Sequence, residues 1–447
     1  MFGPVQESPL QSIFLALLLL VLGIAILPLI KSENKKFILG LFSLAFLVRV
    51  IATYVTYYYL NAVGGDGFAF MDDRTYDAAG QQIAAAIKMG KDGYELHSWQ
   101  QNPGYFYLNG FLYSILGTDT FSARILNSFL SALTAVFLFE ITRILFSVKI
   151  ATIAGYLYAF MPSVVYLSSL QFKDTALIFV MVYTVYILVR KNKERITFLS
   201  ILSVIAALFV MWFLRKDYTL PYIGIVLMWL IMRYTNFERL IERMRKSGLS
   251  AFAVIIMLVI GGGVLAGLTS TQAGRVFMER YDRIAGDNKE FVEKASASQI
   301  GFSRHLRINS ASSLYKLPFA VGFTTILPLP AWGWLTSGEN AGAALYSLAN
   351  LFFIAILPFV LLGFKLTKDI GFANSIMVKW FPILVLIGIS IIFMGVLRYK
   401  EQLMPFFLMW AAIGLYHRKK HKSFVFMAYV GGGFSVLLAV VFAAMFR

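Results

Sequence analysis

Runs of apolar residues long enough to cross a bilayer recur along almost the whole chain, and no other feature limits its fold so strongly. A transmembrane helix needs about 20 such residues. The runs fall at approximately 10–30, 37–60, 121–146, 149–170, 174–190, 196–214, 218–233, 249–268, 341–364, 379–397, 402–417 and 424–446. Inside lipid every backbone N–H and C=O must be satisfied within its own segment, so such runs fold as helices. The expectation is an all-α polytopic membrane protein, one transmembrane domain over residues 1–447 with about twelve spans. Composition agrees, at 59% hydrophobic and 14% charged, against about 45–50% and about 25% in soluble domains. The first run is too long for a signal-peptide core and lacks a basic segment before it, so it reads as a retained span.

The formal charge of +17 does not point to nucleic acid, because the basic residues sit in short loops between apolar runs rather than on a solvated patch. Lys31, Lys35 and Lys36 belong to one set of loops, with Arg190, Lys191, Lys193 and Arg195, and with Arg418, Lys419, Lys420 and Lys422. Lys and Arg in short loops mark the cytoplasmic side. The alternation puts both termini outside, together with two long hydrophilic loops at about 61–103 and 269–340 that hold most of the acidic residues. Tyr76, Ala79, Ile83 and Ile87 share a helical face in the first loop, as do Phe277, Tyr281 and Ile284 in the second. Both read as helices lying in the membrane interface. There is no cysteine, so disulfides and thiolate chemistry are excluded.

Adjacent carboxylates, Asp72 and Asp73, open the amphipathic helix of the first loop. Each is an ordinary N-terminal helix residue, or one is a general base beside the membrane surface. Three further stretches put charge at external span ends. Lys173 and Asp174 in "SSLQFKDTA" form a solvated hairpin tip with a helix cap, or orient a donor site or ligate a divalent cation. Arg215 and Lys216 in "FLRKDYTLP" bind a lipid phosphate or snorkel to headgroups. Arg304, His305, Arg307 and Lys316 make a cationic segment in the second loop, suited to an anionic lipid head or an acidic glycan. Arg49 lies inside a span, where an ion pair with Glu140 is an expectation. Gly261–Gly263 and Gly431–Gly433 read as sites of close helix packing.

The order Asp72–Asp73, Tyr76, Pro103–Tyr105, "ILG" at 115–117 and Arg124–Asn127 resembles the GT-C superfamily of membrane glycosyltransferases. It is most similar to bacterial aminoarabinose transferases and protein O-mannosyltransferases, the family 39-like enzymes. "LRYKEQLMP" at 397–405 is similar to a signature near the last spans of many bacterial members. The resemblance covers about residues 60–175 well and the remainder thinly. It implies a GT-C fold and a polyprenyl-phosphate sugar donor, with a glycan, lipid or protein acceptor, in the bacterial cytoplasmic (inner) membrane with its site on the periplasmic face. It assigns Asp72 as catalytic base with Asp73 beside it, and Arg398 and Tyr399 to the donor phosphate, joining Arg215, Lys216, Arg304 and Arg307. Tyr76, Tyr105, Lys173, Asp174 and His305 are left to support the site or meet the acceptor. No metal site is expected, a divalent cation being the one candidate cofactor. Where aminoarabinose transferases carry Glu-Lys before the proline, this chain has Gln101–Asn102. The rival readings are a polymerase or ligase acting on lipid-diphosphate glycans, and a lipid-glycan transporter. Against the transporter stand the missing internal repeat and the placement of charge at the outer surface.

Overall fold

The computed structural model describes residues 7–30, 32–90, 103–191, 196–234, 315–326, 328, 341–367, 370–392 and 397–445. Among the described residues all regular structure is helical. The longer helices are α1 (Pro9–Ile26), α2 (Lys35–Ala62), α3 (Met71–Lys88), α4 (Gly104–Leu116), α5 (Thr120–Leu145), α6 (Val148–Phe160), α7 (Pro162–Ser168) and α8 (Lys173–Lys191). They continue with α9 (Phe198–Leu214), α10 (Lys216–Tyr234), α11 (Leu317–Ile326), α12 (Ala341–Leu366), α13 (Phe381–Ile392), α14 (Met404–His417) and α15 (Lys422–Met445). Five helical stretches among the described residues are long and apolar enough to span a membrane: Pro9–Leu29, α2, α5, α12 and Ala373–Ser390; the bent pair α6–α7 adds a sixth. α9, most of α10 and α11 are shorter apolar helices. The run at 249–268 lies outside the described residues.

The chain divides into two compact units. Residues 1–224, 326–370 and 398–432 form the first, and residues 225–325, 371–397 and 433–447 the second. In the second, a π-helical turn at Ile376–Trp380 leads into α13. Everything that follows concerns the first unit.

α5 is its axis, packed by α1, α2, α6 and α8 and buried along nearly its whole length. Its start is fixed locally. Gly117 ends α4 at φ +91°, a conformation that favours glycine. Asp119 then caps α5 by accepting from the Phe121 N–H at 3.4 Å and the Ser122 hydroxyl at 3.0 Å. α3 and α4 pack closely through Gly80 and Gly110, where a side chain would strike Asn109 and Ile83. Gly363 and Gly414 likewise bring α12 and α14 into backbone contact.

Three expectations from the sequence need correction. The run 149–170 is not one straight helix: α6 and α7 meet at 53°. Pro162 starts α7 and cannot supply the N–H that would continue α6, so the carbonyls at the end of α6 need other donors. Arg49 supplies them. Its Nη1 lies 3.0 Å from the Ala159 carbonyl, its Nη2 3.0 Å from that of Tyr158, and its Nε donates to Ser131. Arg49 therefore does not pair with Glu140, which binds Arg143 at 2.8 Å and the Ser32 hydroxyl at 2.6 Å. Finally, among the described residues a side chain at Gly431, Gly432 or Gly433 would meet no atom within 4 Å, so the close packing expected there is not seen among them; Gly261–Gly263 lie outside the described residues.

Candidate active site

The two carboxylates that open α3 have separate surroundings. Asp73 is fully buried and turns inward. It accepts from the backbone N–H of Gln171 at 2.8 Å and of Ala69 at 3.3 Å, and pairs with Arg124 at 3.3 Å. Burial pushes its carboxyl above the ordinary range, despite these donors and the Arg124 charge. Arg124 lies between the rings of Tyr57 and Phe68 and donates to the Gly67 carbonyl at 3.0 Å. Asp73 thus ties α3 to α5 and to the segment before α8. Asp72 points the other way and forms an ion pair with Arg398.

Arg398 sits on a 3-10 turn, Leu397–Leu403, that its neighbours pin to three elements. Lys400 donates to Asn350 Oδ1 of α12 at 2.6 Å. Glu401 accepts from Tyr346 of α12 at 2.8 Å and from Ser163 of α7 at 3.2 Å. Gln402 donates to Asp174 of α8 at 2.6 Å. The Arg398 guanidinium lies 4.7 Å over the Phe172 ring, with Nε 3.9 Å from Asp174.

Asp174 also faces Arg215, with Nη1 at 3.5 Å. Arg215 sits where α9 gives way to α10, with the rings of Tyr218 and Tyr399 at 4.6 Å and 4.3 Å. The segment entering α8 is fixed from α5: Asn127 Nδ2 is 2.7 Å from the Leu170 carbonyl and 3.1 Å from that of Phe172. Gln171 adds contacts to Asp77, Tyr113 and the Thr120 carbonyl, each within 3.0 Å.

Four stretches far apart in sequence therefore meet in one charged cluster. Exposure rises across it, from 5% at Arg215 through 12% at Asp174 and 18% at Arg398 to 45% at Asp72. Asp72 is the most exposed member, and Asp174 lies in depth between the two guanidinium groups. Burial pushes the Asp72 carboxyl up, but Arg398, Lys173 and Arg215 outweigh it and hold the group below its ordinary 3.8. A small cavity with room for about one water lies behind the cluster, lined by Ser131, Tyr158, Phe172, Asp174, Arg398 and Glu401 among others. Chemically the arrangement offers an anion site of two guanidinium groups beside an accessible carboxylate.

Of the residues singled out in the sequence, Asp72, Lys173, Asp174, Arg215, Arg398 and Tyr399 come together. Tyr76 borders the cluster under Lys173, its buried ring packed on Tyr105 and Phe106. Tyr105 is a scaffold residue: its ring is buried and its hydroxyl accepts from Asn127 at 2.8 Å. Lys216 lies over the exposed Trp212 ring at 5.8 Å. Arg304, His305 and Arg307 lie outside the described residues. Gln171 and Gln402 were not singled out, although both stand in the charged stretches that were. Among the described residues no group of three or more His, Cys, Asp or Glu side chains is placed to hold a metal.

Residues 100–261 match the model of the dolichyl-phosphate-mannose-protein mannosyltransferase family, a GT-C membrane family. The match covers Lys173, Asp174 and Arg215 and leaves Asp72 and Arg398 outside it. It supports a membrane glycosyltransferase with a lipid-linked donor, and with the apolar helices it makes the chain an integral membrane protein. No curated protein matches the chain significantly.

Proposed function

We propose that this chain transfers a sugar from a polyprenyl-phosphate donor to an acceptor hydroxyl on a glycan, lipid or protein, at the periplasmic face of a bacterial inner membrane. The family match supports the lipid-linked donor. The observation that carries the residue roles is the ion pair between Asp72 and Arg398, 326 positions apart in sequence, with Asp174 and Arg215 adjoining it.

Arg398 and Arg215 hold the donor phosphate, Arg398 through a planar fork suited to two phosphate oxygens. Asp174, steadied by Gln402, sets the spacing of the two guanidinium groups. Asp72 at the open end takes the proton of the acceptor hydroxyl as that oxygen attacks the anomeric carbon. One base and an anionic leaving group suffice for direct displacement, so the configuration inverts. Phosphate bound at Arg398 competes with Asp72 for the guanidinium, which frees the carboxylate once the donor is seated. The mechanism draws on arginine and lysine charge and calls for no divalent cation.

Purified chain in proteoliposomes, given a polyprenyl-phosphate hexose labelled in the sugar, tests this. The expected result is donor cleavage with sugar appearing on an added hydroxyl acceptor, lost in Asp72→Asn. Movement of intact donor across the bilayer without cleavage would identify a transporter instead.

A further inference from the structure

Three cations, Lys173, Arg215 and Arg398, face two carboxylates, Asp72 and Asp174, in the cluster. Arg215 and Arg398 are already engaged by those carboxylates. Lys173 is not. It is half-buried, and its one close partner among the described residues is the face of the Tyr76 ring, 5.9 Å from Nζ. It also stands in the first turn of α8, where the helix dipole opposes a positive charge. Burial and the like charges on Arg215 and Arg398 bring its ammonium down to about 8, against the pull of Asp174 and Asp72. A lysine held there without an acceptor is arranged for an anion that arrives.

We propose that Lys173 is a catalytic residue that stabilises the leaving phosphate as the sugar departs, and contributes little to holding the intact donor; this rests on the transferase reading above. The donor is a phosphodiester with one negative charge, which the two arginines suffice to bind. During transfer the acceptor oxygen bonds to the anomeric carbon and its proton passes to Asp72. The bond from that carbon to the phosphate oxygen breaks, and its electron pair stays on the phosphate. The product is a monoester with a second negative charge. A cation left uncommitted in the ground state meets that new charge, and an interaction stronger in the transition state than before it raises the rate rather than the affinity.

The test compares full-length wild type with Lys173→Met and Lys173→Arg. Donor affinity is measured with polyprenyl-phosphate mannose, product affinity with polyprenyl phosphate, and chemistry by single turnover at saturating donor. In Lys173→Met the single-turnover rate should fall about 10²-fold or more, the scale of losing one preorganised donor at a developing oxyanion. Donor affinity should change little, and the wild-type preference for product over donor should vanish. Lys173→Arg should restore most of the rate. Equal losses in donor affinity and rate would make Lys173 an ordinary donor ligand, and an unchanged rate would remove it from the chemistry; either overturns the proposal. Wild type that binds neither lipid would instead overturn the transferase reading beneath it.

Discussion

Replacing Arg398 with Ala removes the cation that joins Asp72 to Asp174 and covers the Phe172 ring. A charge-assisted hydrogen bond contributes about 1.5–3 kcal/mol, or roughly ten- to a hundred-fold in affinity. The upper end applies here. Arg398 is only 18% exposed, so water screens it weakly. Its removal also leaves Asp72 without its ion-pair partner and Asp174 with Arg215 as its remaining cation beside the Gln402 amide. An incoming phosphate would then meet carboxylates where it had met a guanidinium. Arg398→Ala should therefore weaken donor binding about a hundred-fold, measured by equilibrium titration of the detergent-solubilised chain with a fluorescent polyprenyl-phosphate sugar. Arg398→Lys should recover part of this, because it keeps the charge and loses both the bidentate fork and the flat stack on Phe172. Unchanged donor affinity in a folded Arg398→Ala chain would refute the reasoning and move the phosphate site away from the 3-10 turn.

Asp73→Asn should act on stability, since removing one partner of a buried pair costs about 3–5 kcal/mol; a lower melting temperature with turnover per folded molecule retained is the expected result. Arg49→Leu should destabilise by about 1–3 kcal/mol for each carbonyl left without a donor at the α6–α7 break, read as a lower midpoint in denaturant. For pH, Asp72 is held below its ordinary 3.8 in the donor-free chain, so the carboxylate stays ionised above that lowered value and base activity is lost only as pH falls through it. The acid limb of kcat/KM, which reports the free enzyme, should thus lie below 3.8. In Arg398→Gln it should move upward, because burial then acts with less opposition.

The helices of the first unit were legible from apolar run length because that signal is local. The expected span 37–60 is α2 and 121–146 is α5, each displaced by a residue or two. Pro162 was visible as well, yet a run of twenty apolar residues conceals a break whose orphaned carbonyls are satisfied by a distant arginine. The partner of Arg49 was misjudged for the same reason: sequence shows a charge at a given depth, but not which acceptors turn toward it. The charged members of the site were legible as unusual charges beside apolar runs, at ends expected to face outward. Their division of labour was not. Asp72 and Asp73 differ because consecutive residues on a helix point about 100° apart, so only packing decides which meets Arg124 and which faces the opening. Gln171 and Gln402 gave no signal as neutral amides, and their importance appears only when Asp77 and Asp174 are seen to accept from their side chains. Tyr105 reads as a residue that supports the site or meets the acceptor, and Asn127, two turns into α5, holds its hydroxyl within the scaffold.

The most direct test of the account is Asp72→Asn, assayed for single turnover at saturating donor beside donor affinity on the same preparation. A general base is worth about 10² to 10⁴ in rate, so turnover should fall by at least about a hundred-fold. Donor affinity should hold or tighten, because the neutral amide competes less for Arg398. Turnover within a few-fold of wild type in the folded variant would contradict the account and leave the ion pair of Asp72 with Arg398 as a structural contact.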